Sequence, residues 1–268
     1  MDAPLSFHVR SNSLPFGSYP ILRQLSEKVL RFSNCESNPQ CHVYFLSNLY
    51  NDLDGLLQLQ LSGEAIRHDD KFVSEMLDDI LTLLDACSRM GDAISCLREQ
   101  HRDLLSAFRR RAYIGLECQI SAYISAQKKI AKISAKCLSI LQKDHKTQHQ
   151  QSAVDNEVLC ALKQVRSITI FVYEFLLSRF IEPRKRHSII SSILKPKLQK
   201  PNGVWESAKA ALNALYTSSG KLDDLCVKDA QRQLELWDEC MTNMDNQLGC
   251  ISSHLIRTRV ALLNILTM

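Results

Sequence analysis

The fold is decided by residues 227–265, VKDAQRQLELWDECMTNMDNQLGCISSHLIRTRVALLNI, in which core-type side chains recur at alternating steps of three and four residues. The positions of this C-terminal ladder are Val227, Ala230, Leu234, Trp237, Met241, Met244, Leu248, Ile251, Leu255, Thr258, Leu262 and Ile265. A step that averages about 3.5 residues keeps one side of an α-helix facing the same neighbour along its whole length. No Pro interrupts the segment, and Gly249 is its only Gly. The stretch therefore predicts a long helix that buries one seam against other long helices.

A second ladder of the same kind precedes it. Its positions are Met76, Ile80, Leu83, Cys87, Met90, Ile94, Leu97, His101, Leu104 and Phe108. Further helices are predicted over residues 42–61, 117–141, 153–180 and 203–217, each with apolar side chains at helical spacing. Only 8 Gly and 7 Pro occur in 268 residues, which leaves long stretches free of helix breakers. We predict an all-α fold, an elongated antiparallel bundle of five to six helices.

The N-terminal part differs in composition from the rest. Residues 1–38 carry Pro, Ser, Asn and Gly without a sustained helical period, so we predict a disordered N-terminal arm, within which 21–32 has the pattern of a short helix. Residues 39–268 are predicted to form the helical bundle, with a basic, Pro-containing connector at 183–202 inside it.

The ends of several helices are also predicted from local residues. Ser62-Gly63 is expected to break the first helix, and the polar run QKDHKTQHQQS at 142–152 is expected to form a loop. Ser152 is expected to cap the helix that follows. The cations Arg109 to Arg111 are typical of a helix C-terminus, where the helix dipole is negative.

Charge and cysteine usage bound the class of protein. The net charge of +4, from 33 basic and 29 acidic residues, is too small to predict nucleic acid as a partner. Ten Cys without a C-x-x-C pair, and without a secretory leader before them, predict reduced thiols in a cytoplasmic protein. Membrane association stays open, and so does organelle targeting, because the first 34 residues contain Ser and Arg and few acids.

Four segments resemble the BYPASS-like family of land plants, also known as domain of unknown function 241. They are SFHVRSNSLP (6–15), LYNDLDGLLQLQL (49–61), LLDACSRMGDAISCLREQHRDLLSAFRRR (83–111) and SSHLIRTRVALLNIL (252–266). Gln60 departs from the family's usual Pro, and residues 62–70 are shorter than its usual acidic stretch. The resemblance implies an all-helical plant protein without known catalytic activity. Relatives are linked to root and shoot development and to restraint of a mobile growth-inhibiting signal.

The N-terminal arm contains a candidate phosphopeptide. Arg10, Ser11, Ser13 and Pro15 fit the pattern R-S-x-S-x-P, which 14-3-3 proteins bind when the second Ser is phosphorylated. A phosphate on Ser13 would carry nearly two negative charges and strong acceptors for a cluster of Arg side chains. The alternatives are that this segment docks on the bundle itself, or that it is a peculiarity of the family without a known use.

The connector is the most basic part of the chain. Its predicted anion-binding or membrane-binding patch consists of Arg184, Lys185, Arg186, Lys195, Lys197 and Lys200. Such a patch suits nuclear import, an anionic membrane surface or an acidic partner. A solvated loop without a ligand is the simpler reading.

Other charged positions are expected to have structural roles. Lys128, Lys129, Lys132 and Lys136 fall along one helical stripe and are predicted to face water. Arg257 and Arg259 are predicted to be interior or groove-lining cations that pair with acids of a neighbouring helix.

No catalytic, cofactor or metal site is predicted, because the chain contains no Gly-rich phosphate loop, no G-x-S-x-G elbow and no Cys/His pairs at zinc spacing. The favoured function is a non-catalytic interaction and regulatory protein in developmental signalling. The alternative is a peripheral or oligomeric membrane-associated protein that uses helix 153–181 and the connector, although Arg166 and Glu174 interrupt that helix. A homo-oligomer stays open, because a second copy can satisfy a long apolar seam.

Overall fold

The computed structural model describes residues 20–32, 39–110, 114–148, 156–181, 204–217 and 224–267. This part of the chain contains helices and turns and no strand, which confirms the all-α prediction. The helices are α1 (Pro20–Phe32), α2 (Pro39–Leu57), α3 (Gln60–Arg67), α4 (Asp70–Arg109), α5 (Leu116–Gln148), α6 (Glu157–Ser178), α7 (Val204–Thr217) and α8 (Asp224–Thr267). The number exceeds the five to six expected because the short helices α1 and α3 are added to the six that the apolar patterns predict.

The two ladders form the seams along which the longest helices pack. Every ladder position of α4 and of α8 is buried. The helices run antiparallel, since His101 of α4 contacts Leu234 near the start of α8, whereas Ser252 near its end bonds Cys87. With 40 and 44 residues they are about 60 and 66 Å long. The seam prediction is therefore confirmed along both helices.

Helices α2 and α8 run in the same direction, although most neighbours in the bundle are antiparallel. Ser47 Oγ lies 3.2 Å from Cys250 Sγ, and one turn further along both helices the ring of Tyr50 stacks on that of His254. Because the residue numbers rise together, the helices are parallel. These contacts hold α8 against α2, which comes much earlier in the chain.

Helix α6 lies inside the bundle and is buried on nearly every side. It packs against α1, α2, α3 and α5. Arg166, which interrupts its apolar sequence, forms an ion pair with Asp79 of α4 at 2.6 Å. Burial raises the pKa of Glu174, the other interruption, and a hydrogen bond from Gln142 of α5 partly offsets that rise. Among the described helices, none combines the length and the apolar run that crossing a membrane requires.

Two predicted helix ends are wrong. The first helix ends at Leu57 because Leu59 is extended, with φ −76° and ψ 131°, and Ser62-Gly63 lies inside α3 instead of breaking a helix. The run at 142–152 is helical up to Gln148, because its first residues include good helix formers such as Gln and Lys and no Gly or Pro. Polarity alone did not make this stretch a loop.

The cap of α6 is also different from the prediction. Asn156 precedes the helix, and its Oδ1 accepts hydrogen bonds from the backbone N–H groups of Val158 and Leu159, at 2.9 and 3.4 Å. Ser152, the predicted cap, lies outside the described residues. Asn is as effective a cap as Ser, so the helix begins at the cap closest to its apolar residues.

Helix α1 forms within the segment predicted as an arm. Leu22, Leu25 and Phe32 are buried, and Lys28 pairs with Asp52 of α2 at 2.6 Å. Gly55 allows the close approach, since a Cβ atom there would lie 2.8 Å from Ile21 Cδ1. Residues 20–32 therefore belong to the helical body, while 1–19 and 33–38 lie outside the described residues.

Candidate functional site

Both sites predicted from the sequence lie outside the described residues. They comprise Arg10, Ser11, Ser13 and Pro15 in the arm, and Arg184, Lys185, Arg186, Lys195, Lys197 and Lys200 in the connector. The described part of the chain contains instead two buried polar clusters and one surface groove. None of the three was singled out from the sequence.

The first cluster surrounds His101, which lies in the α4 seam and is fully buried. Its Nε2 lies 2.9 Å from the carbonyl oxygen of Leu234, and its Nδ1 lies 3.1 Å from the hydroxyl of Tyr123. Since a carbonyl only accepts, Nε2 carries a proton. Burial holds the pKa of His101 below its ordinary value, so the imidazole is neutral and Nδ1 accepts from the Tyr123 hydroxyl. The side chain links α4 to both α5 and α8.

The second cluster joins α2, α6 and α8 around Tyr50. The hydroxyl of Thr169 donates to the carbonyl of Val165 at 2.7 Å, so the Tyr50 hydroxyl donates to Thr169 Oγ1 at 2.9 Å. On the other side, the Tyr50 ring stacks on His254, with ring centroids 4.9 Å apart. Burial raises the pKa of Tyr50, which keeps the hydroxyl protonated.

Of the two arginines predicted to pair with acids of a neighbouring helix, Arg257 forms such a pair. Its Nη1 lies 3.9 Å from Asp54 Oδ2 of α2, and its Nη2 donates to His254 Nδ1 at 2.7 Å. The side chain is more than half exposed, so this pair lies at the surface and Arg257 is not the interior cation that was predicted. Arg259 is half-buried, and its Nη1 contacts no hydrogen-bond acceptor in the described part of the chain.

The groove lies between α4 and α5 and has a volume of about 330 Å³. Its floor is apolar and its rim is polar. The floor consists of Ala93, Leu97, Ala126, Ile130, Ile133 and Cys137, and the rim of Arg89, Asp92, Cys96, Lys129 and Lys136.

The rim carries more positive than negative charge. Two contacts fix the register of the helices, His101 with Tyr123 and Met90 with Ser134, and they place Arg89 level with Lys136. Burial raises the pKa of the Cys137 thiol, and Arg89 and Lys136 act in the opposite direction. Two cations therefore lie beside one end of the apolar floor.

The four lysines of the α5 stripe are exposed, as the sequence predicts. Lys129 and Lys136 line the groove, whereas Lys128 and Lys132 do not. Periodicity identifies the stripe but not this division, because the division depends on the register of α4. The described residues contain no group of three His, Cys, Asp or Glu side chains that could hold a metal ion.

Because of the buried histidines, we expect the protein to lose stability as the pH falls from 7.5 to 5. Burial holds the pKa of His101 below the ordinary value of 6.5, and also lowers those of His42 and His254. Below the ordinary value the unfolded chain binds protons that the folded chain does not, so stability falls. For His101 alone the loss approaches about 1.4 kcal/mol per pH unit.

Urea unfolding at several pH values measures this dependence. The His101→Gln variant should show a shallower slope of unfolding free energy against pH, whatever its absolute stability. Equal slopes in the wild type and in His101→Gln would contradict the neutral, buried state of His101.

Comparison with known proteins gives one match. The model of the family described as Protein BPS1 matches residues 44–265, which include most of α2 and all the helices from α3 to α7. No curated protein and no solved structure matches the chain. The matched range covers three of the segments on which the BYPASS-like resemblance was based, the last of them up to Ile265. The chain therefore belongs to the Protein BPS1 family, a family of plant developmental regulators.

Proposed function

We propose that this chain is a non-catalytic helical interaction protein that regulates root and shoot development, and that it restrains a mobile growth-inhibiting signal as the BYPASS-like resemblance implies. Family membership supports the developmental role. The non-catalytic character is supported by the way in which the buried polar groups are used.

Those groups join helices to one another. Tyr50 bonds Thr169 between α2 and α6, and His101 bonds Tyr123 between α4 and α5. The ion pair of Arg166 joins α6 to α4. A buried polar group that is satisfied by a partner on another helix fixes the packing of both. These groups therefore serve to hold a scaffold together, and the scaffold presents its outer surface to partners.

A double variant separates this scaffold role from chemistry at the same groups. Tyr50→Phe combined with Thr169→Val removes both hydroxyls and nearly preserves shape, so the unfolding free energy should change by about 1 kcal/mol or less. The variant should restore root and shoot growth in a loss-of-function plant as fully as the wild type does. Failure to restore growth at wild-type stability and abundance would argue for chemistry at these hydroxyls and against the proposal.

The partners are proposed to include 14-3-3 proteins, bound through the phosphorylated segment with Arg10, Ser11, Ser13 and Pro15. After treatment with a basophilic kinase, which phosphorylates Ser near Arg, immobilised 14-3-3 should capture the wild-type chain and a Ser6→Ala control equally. The Ser13→Ala variant should not be captured. Equal capture of all three removes this partner, and proximity labelling in root tissue then becomes the route to others.

The second candidate function is attachment to an anionic membrane surface, and the density of Lys and Arg in residues 183–202 favours it. The full chain should float with vesicles that contain phosphatidylserine and should not float with neutral vesicles. Replacing Arg184, Lys185 and Arg186 with Gln should reduce flotation. Flotation that is indifferent to lipid charge excludes the connector as the attachment, and resistance to carbonate extraction would favour insertion.

A further inference from the structure

The groove between α4 and α5 has the size and lining of a small-molecule site. Its volume of about 330 Å³ falls at the lower end of the range for ligand pockets. The apolar surface along its floor comes from the half-buried Ala126 and Ile133, and Leu97 and Ile130 are fully buried beneath them. It is too small to seat a partner helix, which is about 10 Å across and needs a far larger contact area for stable binding.

The net positive charge around the groove favours a negatively charged ligand. Arg89 and Lys136 lie at one end, and Lys129 lies two helical turns, about 10 Å, from Lys136. Asp92 is the one acid among the residues described as lining the groove. Arg89 has an ion pair with Asp85 at 3.7 Å, but both side chains are more than half exposed, so the pair is weak and can be exchanged.

We propose that this groove binds a small anionic amphiphile, whose acid group lies between Arg89 and Lys136 and whose apolar body lies along the floor towards Lys129. Charge-assisted hydrogen bonds from the guanidinium and the ammonium would hold the acid group, and the half-buried Ala126 and Ile133 would cover the body. The site is independent of the developmental function proposed above, and neither depends on the other.

The experiment uses the full-length chain and decanoate, a monocarboxylate with an unbranched apolar body. Calorimetric titration below the micellar range should show binding of one decanoate per chain. Decylamine, which has the same body and the opposite charge, should bind at least about tenfold more weakly, as should acetate, which has the charge without the body. Equal binding of decanoate and decylamine overturns the proposal.

Matched variants locate the site. Arg89→Gln with Lys136→Gln should weaken decanoate binding at least about tenfold. Lys128→Gln with Lys132→Gln removes the same charge from exposed positions outside the groove and should leave binding unchanged. Ala126→Phe should fill the recess and abolish binding, while circular dichroism confirms that each variant is folded.

Two further results would overturn the proposal. One is loss of binding in both charge variants alike, since that shows a general charge effect and no site. The other is the absence of decanoate binding together with flotation on phosphatidylserine vesicles that requires Arg89 and Lys136, because this assigns the groove to a membrane surface.

Discussion

Replacing Asp79 with Leu is expected to lower the free energy of unfolding by about 3–5 kcal/mol. Asp79 Oδ2 forms an ion pair with Arg166 Nε at 2.6 Å, and the two side chains are only 11% and 10% exposed. Without the carboxylate, a permanently charged guanidinium stays inside the bundle and loses its ion pair. Urea unfolding followed by circular dichroism measures the loss.

Two further variants sharpen this result. Glu75 lies on the same helix and pairs with Lys71 at 3.9 Å, but at the surface, so Glu75→Leu should cost less than about 1 kcal/mol. Combining Asp79→Leu with Arg166→Met should recover most of the loss, because an apolar pair of similar volume often replaces a buried ion pair without penalty. If Asp79→Leu costs no more than Glu75→Leu, the Arg166 pair is not buried in solution.

The second large effect is expected for Trp237→Ala, which should cost about 3–5 kcal/mol. Trp237 is 2% exposed, and its ring lies 4.9 Å from that of Trp205 and 5.9 Å from that of Phe180. Truncation leaves a cavity where α7, α8 and the end of α6 meet, and it also removes the aromatic contacts. The cost therefore combines lost burial with lost ring packing.

Fluorescence gives a local measure of the same change. The chain has 2 Trp, so in the Trp237→Ala variant all Trp emission comes from Trp205 on α7. A red shift of that emission is expected as α7 loosens from α8. Leu236→Ala alters the adjacent, 41% exposed residue and should cost less than about 1 kcal/mol with no shift. Unchanged stability and emission in Trp237→Ala would contradict this packing.

The seams of the two long helices were predictable because their pattern persists over many turns. Single mismatches, such as His101 in the α4 ladder or Thr258 in the α8 ladder, do not disturb such a pattern. The burial of α6 was predictable because its apolar residues also continue over many turns. The partners of its charged side chains were not predictable. Identifying Asp79 as the partner of Arg166 requires the relative placement of α4 and α6, which the sequence does not specify.

Helix ends were less predictable because they depend on small local differences in free energy. Ser62-Gly63 looks like a break, yet the break falls at Leu59, and the polar run continues α5 to Gln148. Flanking contacts decide such cases, since a Gly in a helix costs only about 1 kcal/mol.

The groove was not predictable at all. It depends on which residues of α4 and α5 lie opposite each other, and its charge depends on which lysines of one stripe face α4. By contrast, the arm and connector sites are properties of sequence alone. They lie outside the described residues and stay predictions.

The fastening of α8 to α2 and α4 has a consequence for biosynthesis. Helix α8 is the last described helix to leave the ribosome. Until it emerges, the apolar residues of α2 and α4 that pack against α8 remain exposed. Until then the nascent chain carries these apolar surfaces in water, where molecular chaperones bind such surfaces. A premature stop codon early in α8 would release a chain that cannot close its core, and proteolysis would remove it.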